Sequence, residues 1–163
     1  MIKDTLLAEF NQETATTRRL IDRVPQDRLP WKPHEKSMSL GGLALHLANL
    51  PTWADTIFEH TSFDLAAAPP NLAEPTFAAE IVQHFDRSLA AARIALDKPD
   101  VAFVEHWTLK RGGQEIFTMP RIAAFRSFVM SHLIHHRGQL SVYLRLNDVA
   151  VPAIYGPSAD EAF

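Results

Sequence analysis

The sequence predicts an all-α protein: a four-helix bundle with long crossover connections, plus a short β-hairpin before the last helix. Four segments of about 20 residues or more repeat apolar residues at helical spacing. The connections between them are about 15–20 residues long, which is typical of crossover bundles rather than of tight helical hairpins. The last connection contains Arg111-Gly112-Gly113-Gln114 between two β-prone runs, which indicates a hairpin with the glycines at its turn.

The composition fits a globular protein and excludes several functional classes. A chain of 163 residues that is 47% hydrophobic can bury one sizeable core, so residues 1–163 are expected to form a single domain. A net charge of −3 without a basic cluster argues against nucleic acid or a membrane surface as partner. No apolar run suits a signal peptide or a membrane span, so a cytoplasmic location is expected. The absence of cysteine excludes disulfides, thiolate ligands and a cysteine nucleophile.

The first two helices have clear boundaries. The first is predicted over residues 2–24, and Pro25 ends it. The second is predicted over residues 39–59, with Ser39 as the N-cap. Pro51 lies inside the second helix, where it removes a backbone donor, so a kink is expected just before it.

The remaining elements follow in order. Residues 61–75 are predicted to form a loop, and residues 76–97 a third helix. The hairpin is expected within residues 104–119. Residues 120–146 contain no internal proline and predict the fourth helix, which begins with a proline in its first turn.

Histidines at helical spacing are the most informative feature of the fourth helix. His132 and His136 are one turn apart and therefore lie on the same face. They share this predicted face with Ile122, Phe125, Val129, Leu140 and Tyr143. His46 lies on the apolar stripe of the second helix, and sites in bundles form between facing helices. The three imidazoles therefore predict a shared metal ion.

Two alternatives remain open from the pattern alone. A single histidine on an apolar face is more often a hydrogen-bonded core residue than a metal ligand, and three together leave both interpretations open. A pairing of His132 with His135, three residues apart, is also compatible with the spacing. Trp53 and Tyr143 lie on the histidine faces and are expected to line any pocket there.

The donor set restricts the chemistry. Imidazoles without carboxylates suit Zn²⁺, Ni²⁺ or Fe²⁺ rather than Mg²⁺ or Ca²⁺. Three protein ligands leave a position for water or substrate, as in reactive zinc sites. The zinc-protease pattern H-E-x-x-H is absent, because Leu133 stands where its glutamate would be. Glu13 is the one candidate for a base, and it is more simply a second-shell acceptor for an imidazole N–H. No catalytic residue is identified.

Three segments together resemble a known family. Residues 33–46, 132–145 and 151–161 are similar to the DinB-like (YfiT-like) superfamily of small bacterial four-helix-bundle proteins, which is unrelated to the DNA polymerase of that name. The specific features are the motif H-x-x-x-H-R-G-Q from His132 to Gln139 and the tail Tyr155-Gly156-Pro157. The similarity extends over essentially the whole chain.

The resemblance implies a function as well as a fold. It implies that His46, His132 and His136 are a metal triad, with zinc or nickel as the ion, and that the chain forms a homodimer through bundle faces. Members with assigned activities imply a metal-dependent transferase that acts on a small-molecule substrate with a low-molecular-weight thiol such as bacillithiol, mycothiol or glutathione. The alternatives are a non-catalytic metal-binding stress-response protein and a metal-dependent hydrolase.

Overall fold

Helices form where the sequence repeats apolar residues at helical spacing. The structure, a computed structural model, describes residues 1–70 and 72–162. Its helices are α1 (Ile2–Ile21), α2 (Leu40–Asn49), α3 (Trp53–Phe58), α4 (Ala78–Ala95), α5 (Asp100–Val104), α6 (Arg121–Phe125) and α7 (His132–Leu146). Its strands are β1 (Ser62–Asp64), β2 (His106–Arg111) and β3 (Gln114–Pro120). The chain is therefore mostly helical, as expected, with a small sheet of three strands where the sequence predicted a two-stranded hairpin.

Two of the predicted helices contain a local change of helix type. A 3₁₀ turn at Leu50–Thr52 separates α2 from α3, at the place where a kink was expected just before Pro51. A π-helical segment at Arg126–Ser131 joins α6 to α7. The sequence predicted one regular helix across this region. The π segment was missed because its wider hydrogen-bonding pattern leaves no mark on composition.

Side chains satisfy the free N–H groups at the starts of α2 and α4. The Ser39 hydroxyl accepts a hydrogen bond from the backbone N–H of Gly42 at 2.9 Å, which confirms the predicted N-cap. The Glu80 carboxylate accepts hydrogen bonds from the N–H groups of Thr76 and Phe77, each at 3.0 Å. These bonds place the start of α4 at Ala78, two residues after the predicted start at residue 76.

The four long helical segments share one core. α1 packs against α4 and α7, and α2 packs against the same two helices. Each segment contributes fully buried apolar side chains, among them Leu6, Phe10, Leu43, Leu47, Phe85, Phe125, Leu140 and Leu144. Burying each such side chain contributes about 1.5–3 kcal/mol relative to exposure. Among the helices within residues 1–70 and 72–162, none has both the length and the apolar content needed to cross a bilayer.

The sheet packs beside the helices and contains the predicted hairpin. β2 and β3 pair antiparallel, and Gly112 and Gly113 form the turn with φ values of 59° and 80°. β1 pairs parallel with β2, although residues 61–75 were predicted to be a loop. The Asp64 carboxylate, at the end of β1, accepts hydrogen bonds from the N–H groups of Gly112 and Gly113 at 2.8 and 2.7 Å. Asp64 therefore links β1 to the hairpin turn.

The same substitution is expected to have opposite effects at two glycines. Gly113→Ala places a Cβ at φ 80°, where left-handed backbone costs about 1–2 kcal/mol, so we expect a loss of stability of about that size. Gly138→Ala adds a methyl group to an exposed site in α7, where nothing lies within 4 Å apart from the chain neighbours and the backbone of the helix itself, so we expect a gain of about 0.5–1 kcal/mol. Urea denaturation measures both. Changes of the same sign would contradict the assignment of these two backbone conformations.

Candidate metal centre

The candidate metal centre lies between α2 and α7, which contact each other in the core. His46 is in the last turn of α2. His132 begins α7 directly after the π segment, and His136 follows one turn later. All three side chains are half-buried.

The histidines of α7 lie beside the buried face rather than at its centre. The sequence placed His132 and His136 on the same face as Phe125, but the fully buried positions here are Leu133 and Arg137. The π segment explains the difference, because its wider turn adds one residue before the apolar face continues. Leu133 therefore takes the place predicted for His132, and the imidazoles remain partly accessible.

The three imidazoles are nevertheless brought together. One ring nitrogen from each of His46, His132 and His136 lies within 4.8 Å of the others. The Nε2 atoms of His46 and His132 are 3.4 Å apart. Nitrogen ligands at about 2.0–2.1 Å from a tetrahedral Zn²⁺ are about 3.4 Å from each other, so this pair already has the spacing that an ion requires. The predicted cluster could hold a metal ion.

The surroundings keep these histidines neutral. Burial lowers the pKa of His46 to about 4, and the nearby His136 and His132 act in the same direction. Burial also lowers the pKa of His132, with His136 adding to the effect and a hydrogen bond to the backbone of Phe128 opposing it. The pKa of His136 is lowered by burial as well. Neutral imidazoles are the form that binds metal ions.

The donor set matches the chemistry expected of a transition-metal site. Within the described residues, no carboxylate belongs to the cluster, so its ligand atoms are imidazole nitrogens alone. His135 lies outside the cluster and is exposed, so the structure groups His132 with His136 rather than with His135. Three imidazoles suit Zn²⁺, Ni²⁺ or Fe²⁺ and leave a coordination position for another molecule.

The predicted pocket-lining aromatics have other aromatic neighbours. Trp53 stacks on Phe128 with ring centroids 5.5 Å apart and contacts Phe63 edge-on at 5.2 Å. The Tyr143 ring lies edge-on to Trp31 at 5.5 Å. Both side chains are half-buried. Their role in lining a pocket at the histidines stays a prediction.

Glu13 is buried in an ionic network with Arg137 and Tyr155. Its carboxylate lies 2.7 Å from the Arg137 guanidinium and accepts a hydrogen bond from the Tyr155 hydroxyl at 2.8 Å. The Arg137 side chain is 2% exposed. Among the hydrogen bonds that the described residues form, none joins Glu13 to a histidine, so its proposed second-shell role stays a prediction.

The sequence does not reveal this Glu13–Arg137–Tyr155 network. The guanidinium also donates to the backbone carbonyl of Glu13 at 3.0 Å and to the Tyr155 hydroxyl at 2.6 Å. The network thus joins α1, α7 and the C-terminal tail. Arg137 and Tyr155 both belong to the motifs that carry the family resemblance, and this was the one hint of their role. Nothing in a sequence shows that a charged side chain is buried.

Comparison with known proteins identifies the family. A model of the DinB family matches residues 1–162, so the chain belongs to the DinB family. One relative is a Bacillus subtilis (strain 168) protein named "Uncharacterized protein YrdA", which is 25% identical over 158 residues, 97% of this chain and 90% of that protein.

Two solved structures share the fold. A DinB-like protein from Bacillus cereus ATCC 10987 aligns with a TM-score of 0.70 and 23% identity, covering 91% of this chain and 95% of that one. A DinB-like protein, YjoA, from Bacillus subtilis aligns with a TM-score of 0.63 and 18% identity, covering 92% and 97%. These similarities confirm the DinB-like fold.

Proposed function

We propose that this DinB family chain binds a divalent transition metal ion through His46, His132 and His136 and acts as a metal-dependent transferase with a low-molecular-weight thiol. Zn²⁺ or Ni²⁺ is the expected ion, with Fe²⁺ as a further option. The observation that supports the metal site is the convergence of three imidazole nitrogens within 4.8 Å of one another. The thiol and the transfer reaction rest on the family resemblance.

The chain's own residues would hold and orient the reacting groups. His46 from α2 and the two histidines from α7 would supply the ligand atoms, and Trp53 and Tyr143 would line the adjacent surface. An ion bound there would favour the thiolate form of a thiol, which is the nucleophilic form. Substrate would reach it from the accessible side, because all three histidines are half-buried.

The two rival functions have less support. Hydrolysis requires a base beside the bound water, and the candidate Glu13 is engaged by Arg137 and Tyr155. A non-catalytic stress-response protein stapled by its ion would depend on the metal for folding. The apolar core here is continuous without the histidines, so we expect the fold to survive metal removal.

The decisive experiment measures thiol binding with and without the metal. Chain stripped by a chelator is titrated with Zn²⁺ or Ni²⁺ and then, by calorimetry, with glutathione, bacillithiol or mycothiol. We expect metal binding, and thiol binding in the loaded form only. Metal binding without thiol binding, or collapse of the fold on chelation, would favour the non-catalytic alternative. Absence of metal binding would refute the site itself.

Metal binding should persist at lower pH than it would for ordinary histidines. Three imidazoles with a pKa of about 6.5 would each be neutral about a quarter of the time at pH 6, which would reduce the apparent affinity about 70-fold. His46, with a pKa of about 4, stays neutral there. The reduction in apparent metal affinity at pH 6 is then at most about 17-fold. It is smaller still because the pKa values of His132 and His136 are also lowered.

The pH dependence is measured by competition titrations across this range. Because these pKa values are lowered, metal should be lost at a pH below the pKa of an unperturbed histidine. The loss of affinity should become steep as the pH approaches 4, where His46 becomes protonated. A 70-fold loss already at about pH 6 would contradict the burial of the triad. The sequence alone, with unperturbed histidines, predicts loss below roughly pH 6.

We further propose that residues 1–163 form one domain, that its helices make a four-helix bundle, and that the protein is a cytoplasmic homodimer without a nucleic-acid partner. The contacts of α1 and α2 with both α4 and α7 support the bundle. Analytical ultracentrifugation tests the dimer.

A further inference from the structure

Gln139 contacts one of the proposed metal ligands directly. It lies on α7 three residues after His136, so both side chains leave the same side of the helix. The side-chain oxygen Oε1 of Gln139 is 2.7 Å from Nδ1 of His136. An amide oxygen accepts hydrogen bonds, so this contact is a hydrogen bond when the proton of a neutral His136 is on Nδ1.

The position of this proton decides which ring nitrogen of His136 can bind an ion. A neutral imidazole carries one N–H and one lone pair. With the proton on Nδ1, the lone pair is on Nε2. The His136 ring centroid is 4.6 Å from that of His46 and 4.7 Å from that of His132, so this ring belongs to the cluster.

The α7 histidines obtain their acceptors in different ways. His132 forms a hydrogen bond with the backbone of Phe128, which lies in the π segment. His136 has the Gln139 side chain as its acceptor. Apart from the two other rings of the cluster, the ring beside it is that of the exposed His135, at 4.9 Å. The acceptor of His136 can therefore be removed by one substitution, without altering the backbone.

We propose that Gln139 is a positioning residue that holds His136 in the tautomer protonated on Nδ1, so that Nε2 offers its lone pair to the ion. The proposal rests on the metal-binding function proposed above. Partners of this kind fix the orientation of a histidine ligand, and their loss lowers metal affinity about 10–100-fold.

The test uses three variants. Gln139→Met keeps the length of the side chain and removes the acceptor, whereas Gln139→Glu keeps an acceptor. Gln83→Met makes the first change at an exposed glutamine on α4 and serves as the control. Each variant is titrated with Zn²⁺ near neutral pH, and the fold is checked by circular dichroism. The imidazole ¹⁵N shifts of the metal-free proteins report the tautomer of His136.

We expect the metal-free wild type to show His136 protonated on Nδ1. Gln139→Met should lose this preference and bind Zn²⁺ about 10–100-fold more weakly, with an unchanged fold. Gln139→Glu should bind at least as tightly as the wild type, and Gln83→Met should match the wild type in both measurements.

Several outcomes would overturn the proposal. An unchanged tautomer in Gln139→Met would do so, as would a loss of affinity in Gln139→Glu equal to that in Gln139→Met, because packing rather than the acceptor would then be responsible. The tautomer measurement needs no metal. Failure of the wild type to bind metal would therefore refute the proposed function and leave the tautomer result to decide whether Gln139 orients His136.

Discussion

Replacing His132 with alanine is expected to lower Zn²⁺ affinity by about 100-fold or more while the fold is retained. Structural sites with four protein ligands bind Zn²⁺ with about 10–16 kcal/mol, so one ligand accounts for about 3 kcal/mol. Each 1.4 kcal/mol corresponds to about tenfold in affinity. The side chain of His132 is half-buried, so its truncation leaves no closed cavity in the core. Competition with a chromophoric chelator measures the affinity, and circular dichroism measures the fold.

Two other histidines provide matched controls. His84 is also half-buried but bonds to the Asn49 side-chain oxygen at 2.8 Å, outside the cluster. His135 is exposed and adjoins His136 in the chain. Alanine at either position should leave Zn²⁺ affinity within about threefold of the wild type, below 1 kcal/mol. If His135→Ala lost as much affinity as His132→Ala, the i, i+3 pairing of His132 with His135 would replace the proposed triad.

The site could be predicted from the sequence because its main features are local. Two imidazoles four residues apart share a face of any helix, and an imidazole on another apolar stripe can meet them when the helices pack. The depth of the site could not be predicted, because it depends on the π segment at Arg126–Ser131. The contact of Gln139 with His136 is a rotamer choice, which a sequence does not reveal.

The limits of the fold prediction have similar causes. The long helices carry the apolar period through several turns, so their positions were found to within a few residues. β1 has three residues, too few to show alternation, and it forms because β2 offers it a parallel partner 46 positions along the chain. Arg137 resembles any surface arginine in the sequence. Its burial depends on Glu13, which is 124 positions away.

The buried Glu13–Arg137–Tyr155 network is expected to be the most sensitive polar feature of the fold. Glu13→Ala would leave the guanidinium of Arg137, whose side chain is 2% exposed, without its counter-ion. Removing one partner of a buried ion pair destabilises a protein by about 3–5 kcal/mol, because the remaining charge is neither solvated nor paired. We expect a loss of that size in the free energy of unfolding from urea denaturation. Since small domains are stable by about 5–15 kcal/mol, this loss would be a large fraction of the total stability.

A control and a compensating change separate the ion pair from general damage to α1. Glu9, one turn earlier, forms a partly exposed ion pair with Arg126 at 2.8 Å, and Glu9→Ala should cost less than about 1 kcal/mol. The double variant Glu13→Leu, Arg137→Met removes both charges and should be more stable than Glu13→Ala alone, since apolar pairs of similar size often replace buried ion pairs without loss. Equal losses for Glu9→Ala and Glu13→Ala would show that the network contributes no more than a surface pair. A double variant no more stable than the single one would instead show that the loss comes from altered packing. The network would then result from the way α1 and α7 pack together and would not itself stabilise that packing.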